Sequence, residues 1–227
     1  AGRPVGGFGT LGSYSFCQDK IISTGGEGGM IVTDDPRLHD RLWSYKDHGK
    51  DRARLAAPDA TPGFRWLHGA GPGTNLRMPG PAAAIGRIQL RNLPHWHAQR
   101  HANAMRLARG LAETPLLHVP LPPADLTHAW YRFYAFVRSD RLAPGWSRDR
   151  ILAEMAARNL PVFFGSCSEI YREDNFAAGR CRPAHPLPVA QELGETSLAF
   201  LVDPTWDAPS LDAIVTGLLE VLANANA

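Results

Sequence analysis

Small polar and aromatic residues alternate along Ser13-Tyr14-Ser15-Phe16, which predicts a short strand, and the apolar run Met30-Ile31-Val32-Thr33 predicts a second. Both strands are expected to be largely buried. The connection between them carries Lys20 and the glycine-bordered run Gly25-Gly26-Glu27-Gly28-Gly29. Asp34-Asp35-Pro36 then reads as a helix start, because Asp35 can accept from free amides and Pro36 suits the first helical position. Leu38, Leu42 and Tyr45 share one face and carry this helix to about Lys46. Residues 47 to 81 are rich in Gly, Pro and His without periodicity, so a long irregular segment is expected, and such segments tend to be functional or disordered.

A further helix is predicted from about Pro81 and should be interrupted near Pro94, where proline removes an amide and clashes with the preceding turn. Ala98, Ala102, Met105, Ala108 and Leu111 continue its apolar stripe. Prolines from Thr114 to Asp125 mark a linker, after which the chain changes character. Trp130-Tyr131-Arg132-Phe133-Tyr134-Ala135-Phe136-Val137 is aromatic-rich and strand-like. Ser147 can cap a helix carrying Ile151, Leu152 and Met155. Leu160-Pro161-Val162-Phe163-Phe164 and Thr196-Ser197-Leu198-Ala199-Phe200-Leu201-Val202 predict two more strands. Pro209-Ser210 opens a helix with Leu211, Ile214, Val215, Leu218 and Leu222 on its buried side. Strands interleaved with helices in this order imply an α+β domain with a small sheet covered on one face.

Composition narrows the function classes. The chain has 227 residues, 44% of them hydrophobic, enough for one large domain or two small ones. No apolar run approaches the roughly 20 residues of a membrane span. A formal charge of +2 with scattered basic residues argues against a nucleic-acid partner. Cys17, Cys167 and Cys181 are widely spaced without a Cys-x-x-Cys pair, and no signal-peptide core follows Ala1-Gly2-Arg3-Pro4, so a reducing cytoplasm is expected. Cys167 reads as a small packed residue rather than a nucleophile, since no histidine partner is evident. His97 and His101 lie one turn apart and could share a metal, yet no acidic residue completes the set, so a solvated helix face and no metal site are expected. Gly7-Phe8-Gly9-Thr10-Leu11-Gly12 matches Gly-x-Gly-x-x-Gly but leads into a strand, which a dinucleotide fingerprint does not.

Lys20 is the main candidate for chemistry. On position alone it reads as a solvated loop lysine. An ammonium at the mouth of a buried sheet would instead lose hydration and leave more neutral amine to attack a carbonyl, which makes Lys20 a candidate Schiff-base lysine.

Gly9-Thr10-Leu11-Gly12-Ser13-Tyr14-Ser15-Phe16, followed by Lys20 and Gly26-Glu27-Gly28-Gly29, resembles the cofactor-lysine segment of the DegT/DnrJ/EryC1/StrS family. These are pyridoxal-phosphate-dependent aminotransferases of fold type I that act on nucleotide-linked keto sugars. Gly73-Thr74-Asn75-Leu76-Arg77-Met78, running into Ala82-Ala83-Ala84-Ile85-Gly86, is similar to a second family stretch, which usually has an aromatic at the position of Leu76. The resemblance implies an α/β fold: the later part of a fold type I large domain over 1–81, then a linking helix and an α+β C-terminal small domain over 82–227. It implies that Lys20 links to pyridoxal 5'-phosphate and later moves the substrate proton, and that Ser15 binds the phosphate. Asn75 would reach the cofactor phosphate of the other subunit of a homodimer, and Arg77 and Tyr171 would bind substrate. The amino group would pass from a donor such as glutamate to the keto sugar. Residues 165 to 171 and 187 to 197 resemble a subgroup linked to surface-polysaccharide sugars.

The resemblance covers only the later half of a family member. The residues that cradle the rest of the phosphate, stack on the ring and protonate the pyridine nitrogen belong to the family's earlier half and have no matching position here. The expectation is therefore a C-terminal fragment of a longer enzyme whose large-domain strands keep unpaired edges. Two other readings follow. One is a sugar dehydratase of the same family, against which Lys20 counts because those members carry histidine there. The other is a dimerisation or regulatory module without catalysis.

Overall fold

The structure, a computed structural model, describes residues 2–57, 67–69, 71–176 and 182–226; Cys181 lies outside them. The chain divides into two compact units, Ala1–Leu93 and Pro94–Ala227.

In the first unit a short 3-10 turn, Val5–Gly7, leads through the glycines into strand β1 (Gly12–Ser15), as expected for glycines that do not open a helix. β1 pairs antiparallel with β2 (Gly29–Val32), Gly12 facing Val32 and Ser15 facing Gly29. The expectation of burial is not met: Met30 and Ile31 are 52% and 50% exposed and Tyr14 42%. Among the described residues this sheet has only two strands, and a lone pair of strands cannot cover its own apolar faces. Helix α1 (Pro36–Lys46) starts as predicted, with Asp35 Oδ1 accepting from the amides of Arg37 at 2.8 Å and Leu38 at 3.3 Å. The segment expected to be irregular contains a one-turn helix α2 (Arg52–Ala56), whose cap Asp51 accepts from the amides of Ala53 and Arg54.

Helix α3 (Gly80–Leu111) continues through Pro94, where an interruption was expected. Proline costs about 3 kcal/mol in a helix interior. Each leucine buried beyond it returns about 1.5–3 kcal/mol, and Leu107 and Leu111 are both fully buried. The buried stripe matches the one predicted at Ala108 and Leu111 and differs from it in the turns before them. Arg100, Ala104, Leu107, Ala108 and Leu111 face inward, whereas Ala98 and Ala102 are exposed. Arg100 takes the inward position because its Nη1 donates to the carbonyl oxygens of Trp130 at 3.0 Å and Tyr131 at 3.3 Å. Burial holds its pKa below the ordinary guanidinium value. Neither His97 nor His101 is left to solvent alone: Trp130 Nε1 donates to His101 Nδ1 at 3.1 Å, and His97 Nε2 stands 2.8 Å from the carbonyl oxygen of His128.

The second unit is built on an antiparallel sheet of order β3-β4-β6-β5, formed by β3 (Leu117–His118), β4 (Phe133–Val137), β5 (Val162–Phe163) and β6 (Ser197–Phe200). Alternation along β4 buries Phe133, Ala135 and Val137. They join Leu198 and Phe200 of β6 and side chains of α3, α4 (Arg148–Ala157) and α6 (Ala208–Asn224) in one core. Ser147 caps α4 as predicted, accepting from the amide of Arg150 at 3.2 Å. On α6, Leu211, Ile214, Leu218 and Leu222 are buried as predicted. The sheet is not covered on one face only: Ser197 and Ala199 are buried as well, and α5 (Pro188–Thr196), which the apolar pattern did not reveal, lies against β4.

Candidate active site

The connection after β1 is organised by backbone bonds that return it to its origin. Phe16 donates to the carbonyl of Gly28 at 2.8 Å, Thr24 to that of Phe16 at 3.2 Å and Lys20 to that of Cys17 at 3.1 Å. Gly25 and Gly26 take positive φ, 85° and 142°, which side chains resist and glycine allows. Gly28 serves differently, since a Cβ there would stand 2.2 Å from Thr24 Oγ1. The loop is tied to α3 by Gln89 Oε1, which accepts from the Ser23 amide at 2.7 Å. Gly86 of the Ala-Ala-Ile-Gly stretch lets Thr24 pack close to the helix.

Lys20 thus sits on a braced loop, but not in the apolar surroundings its reactivity was argued from. Its side chain is 35% exposed and its Nζ lies 3.1 Å from Asp19 Oδ1, which also accepts from Cys17 Sγ at 2.8 Å. Ser15, five residues earlier at the end of β1, accepts from the Cys17 amide at 3.4 Å and keeps its own hydroxyl hydrogen for an acceptor.

Asn75 and Arg77 are brought together, as Arg77 Nε donates to Asn75 Oδ1 at 3.2 Å. Arg77, Leu76 and Met78 line a cavity of about 760 Å³ along with Glu27 and Gly28 of the glycine run, Tyr14 and Trp43. Sequence reasoning missed Asp47, a buried carboxylate with Lys50 Nζ at 3.1 Å and Arg77 Nη1 at 3.6 Å. The hydrogen bond from Lys50 holds its pKa below the usual carboxylate value. One signal was available: two of the chain's three lysines, Lys46 and Lys50, flank it.

Tyr171 belongs to the second unit, in the 3-10 turn Ile170–Arg172. Its hydroxyl donates to Glu169 Oε1 and accepts from the Leu187 amide at 3.2 Å. Arg172 Nη1 reaches the other Glu169 oxygen at 3.1 Å. The bond to Glu169 raises the Tyr171 pKa and lowers that of Glu169. The hydroxyl is therefore engaged within the chain. Beside it lies a cavity of about 460 Å³ lined by Cys167, Glu169, Arg172, Glu173, Gln191 and Glu195, among others.

With this geometry the architecture is that of fold type I transferases, the later part of the large domain followed by an α+β small domain. An aminotransferase from Psychrobacter cryohalolentis superposes with a TM-score of 0.93 at 46% identity, over 99% of this chain and 58% of that one. The aminotransferase TlmJ from Streptoalloteichus hindustanus, at 24% identity and a TM-score of 0.81, shares the fold over 98% of this chain and 55% of its own. In sequence, the dTDP-3-amino-3,4,6-trideoxy-alpha-D-glucose transaminase of Streptomyces venezuelae is 26% identical over 219 residues, 96% of this chain and 52% of the relative. The model of the DegT/DnrJ/EryC1/StrS aminotransferase family matches residues 1–218, and the chain belongs to that family. It spans little more than half the length of these relatives.

Proposed function

We propose that this chain carries the cofactor-lysine part of a pyridoxal-phosphate-dependent sugar aminotransferase, with Lys20 as the covalent anchor and catalytic residue. The observation that supports this best is the placement of an amine, a hydroxyl and a glycine run on one braced connection, in a chain that follows the family over residues 1–218. The donor set suits two of the cofactor's groups: the Lys20 amine suits an aldehyde, and the Ser15 hydroxyl with the Asn75 amide suits a phosphate. When bound, that cofactor supplies the electron sink that stabilises negative charge at the substrate carbon.

The chain's own residues then divide the work. Lys20 would hold the cofactor by its aldehyde carbon and, as a free amine, would carry a proton at the substrate's reacting carbon. Asp19 takes the ammonium hydrogen bond while Lys20 is charged. Ser15 donates to a phosphate oxygen. Asn75 donates to the phosphate of a second subunit, which makes a homodimer part of the reading. Arg77 and Tyr171 contribute to substrate binding, Tyr171 through the orientation that Glu169 gives its ring. The amino donor is glutamate and the acceptor a nucleotide-linked keto sugar of surface-polysaccharide synthesis, in the cytoplasm. No helix among the described residues is long and apolar enough to cross a membrane. The division at residue 81, cofactor part before and linking helix with small domain after, belongs to the same proposal.

The test is cofactor retention. In the protein that comprises this chain, Lys20→Ala is expected to lose pyridoxal phosphate on desalting while the parent keeps it with its characteristic absorbance. Equal retention by both would overturn the assignment of Lys20.

A further inference from the structure

Residues 74 to 76 are fastened to the end of α1 by three backbone bonds. Thr74 donates to the carbonyl of Tyr45 at 2.7 Å, Leu76 to that of Lys46 at 2.9 Å, and His48 donates back to that of Thr74 at 3.0 Å. Asp47 and Asn75 therefore face each other in an antiparallel bridge. The turn that makes this possible runs through His48 and Gly49 at φ of 61° and 77°. Gly73 lies so close that a Cβ on it would stand 2.1 Å from the Gly49 nitrogen. With the backbone fixed, the freedom left at Asn75 is that of its side chain.

An amide has two faces of similar shape and opposite hydrogen-bonding sense, so what meets it fixes which one points away. Arg77 Nε can only donate, and it stands 3.2 Å from Oδ1. A flipped amide would set donor against donor. Arg77 is itself held, its Nη1 lying 3.6 Å from the buried Asp47 Oδ1 and its Nη2 3.5 Å from His48 Nε2. Asp47 is in turn fixed by Lys50 at 3.1 Å, with Lys46 at 4.0 Å. Lys50, Lys46 and Arg77 thus converge on the one carboxylate that faces Asn75 across the bridge.

We propose that Arg77, anchored on Asp47, is a positioning residue that turns the Asn75 amide nitrogen outward as a donor to a phosphate group. This rests on the reading of Asn75 as a phosphate donor and goes beyond it. The planar guanidinium fork makes the arrangement possible, because one edge reaches the carboxylate while Nε meets the amide, and a lysine cannot do both.

The experiment is a double-mutant cycle on binding rather than turnover. Dissociation constants for pyridoxal phosphate and for competing inorganic phosphate are measured on the protein comprising this chain, with Arg77→Lys, Asn75→Ala and the pair, alongside each unfolding midpoint. Loss of one hydrogen bond to a charged group corresponds to about a tenfold weakening. Each single change is expected to weaken binding by about that factor, and the pair by no more than about twofold beyond Asn75→Ala. Multiplying losses would show that Arg77 meets the anion itself and would overturn the proposal. An unchanged constant in Arg77→Lys beside a weakened one in Asn75→Ala would remove the positioning role and spare the phosphate reading. No loss in Asn75→Ala would remove both. Should Arg77→Lys unfold, Arg77→Met keeps the stem without the fork and gives the same comparison.

Discussion

Replacing Gly28 with alanine tests whether the glycine run is there to seat Thr24. Gly28 is not among the glycines with positive φ, so alanine fits its backbone and conformational strain does not explain it. Space does: the added Cβ would lie 2.2 Å from Thr24 Oγ1, with Met78 Cε and Phe16 Cβ at 3.4 Å. Ordinary contact needs about 3.5 Å, so the hydroxyl must retreat by more than about 1 Å. It has little room. Thr24 is only 5% exposed, its hydroxyl donates to the carbonyl of Glu27 at 3.0 Å, and its methyl is hemmed in by the close approach at Gly86. Overpacking of this kind costs about 1–3 kcal/mol, offset by about 0.4–1 kcal/mol from a less flexible unfolded chain. At about 2–4 °C per kcal/mol for a protein of this size, the melting temperature should fall by up to about 10 °C. Thr24→Ala alone loses one hydrogen bond, about 1 kcal/mol. In the double variant the obstacle is gone, so it should be more stable than the sum of the singles by at least about 1 kcal/mol. Thermal and urea unfolding of the four proteins measures this. Strict additivity would refute the steric account of the glycine run.

The core of the second unit makes a simpler prediction: Phe133, fully buried and edge-on to Phe200 of β6, should cost about 3–5 kcal/mol on truncation to alanine, measured by urea unfolding. His128 makes a pH prediction, since burial, and then the charge of His97, hold its pKa below the ordinary imidazole value while its Nδ1 accepts from the Trp130 amide at 3.0 Å. The unfolded chain therefore binds the proton first, so this contribution is complete above about pH 6.5 and declines as pH falls toward the lower folded value. His128→Asn, which keeps an acceptor and cannot titrate, should lose less melting temperature than the parent between about pH 7.5 and pH 5; equal losses would contradict this.

The helix starts at Asp35 and Ser147 were legible because a cap is a local contract between one side chain and the next few amides. The strands β1, β2, β4 and β6 were legible for a similar reason, their alternation or apolar run being short-range. What the sequence could not reveal depended on distant partners. Arg100 lay outside the expected stripe, yet two carbonyls thirty residues away make it an inward residue, and Arg100, Ala104 and Leu107 are buried where Ala98 and Ala102 were expected, while Ala108 and Leu111 are buried as expected. Pro94 looked like a break, and the packing of Leu107 and Leu111 beyond it outweighs the lost amide. At the candidate site the motif pointed to Lys20, Ser15 and Asn75 as candidates, while the side chains that brace their segments, Thr24, Gln89 and Asp47, show themselves only when the chain is folded back. The desolvation argument for Lys20 failed because it presumed a buried sheet, and β1 and β2 present their apolar residues outward.

The most direct measurement of the central claim is chemical. The protein comprising this chain is mixed with pyridoxal phosphate, reduced with borohydride, and digested for peptide mass mapping. The account predicts one pyridoxyl group per chain, on Lys20, and none on Lys46 or Lys50. A label spread evenly over the three lysines, or absent from Lys20, would contradict it.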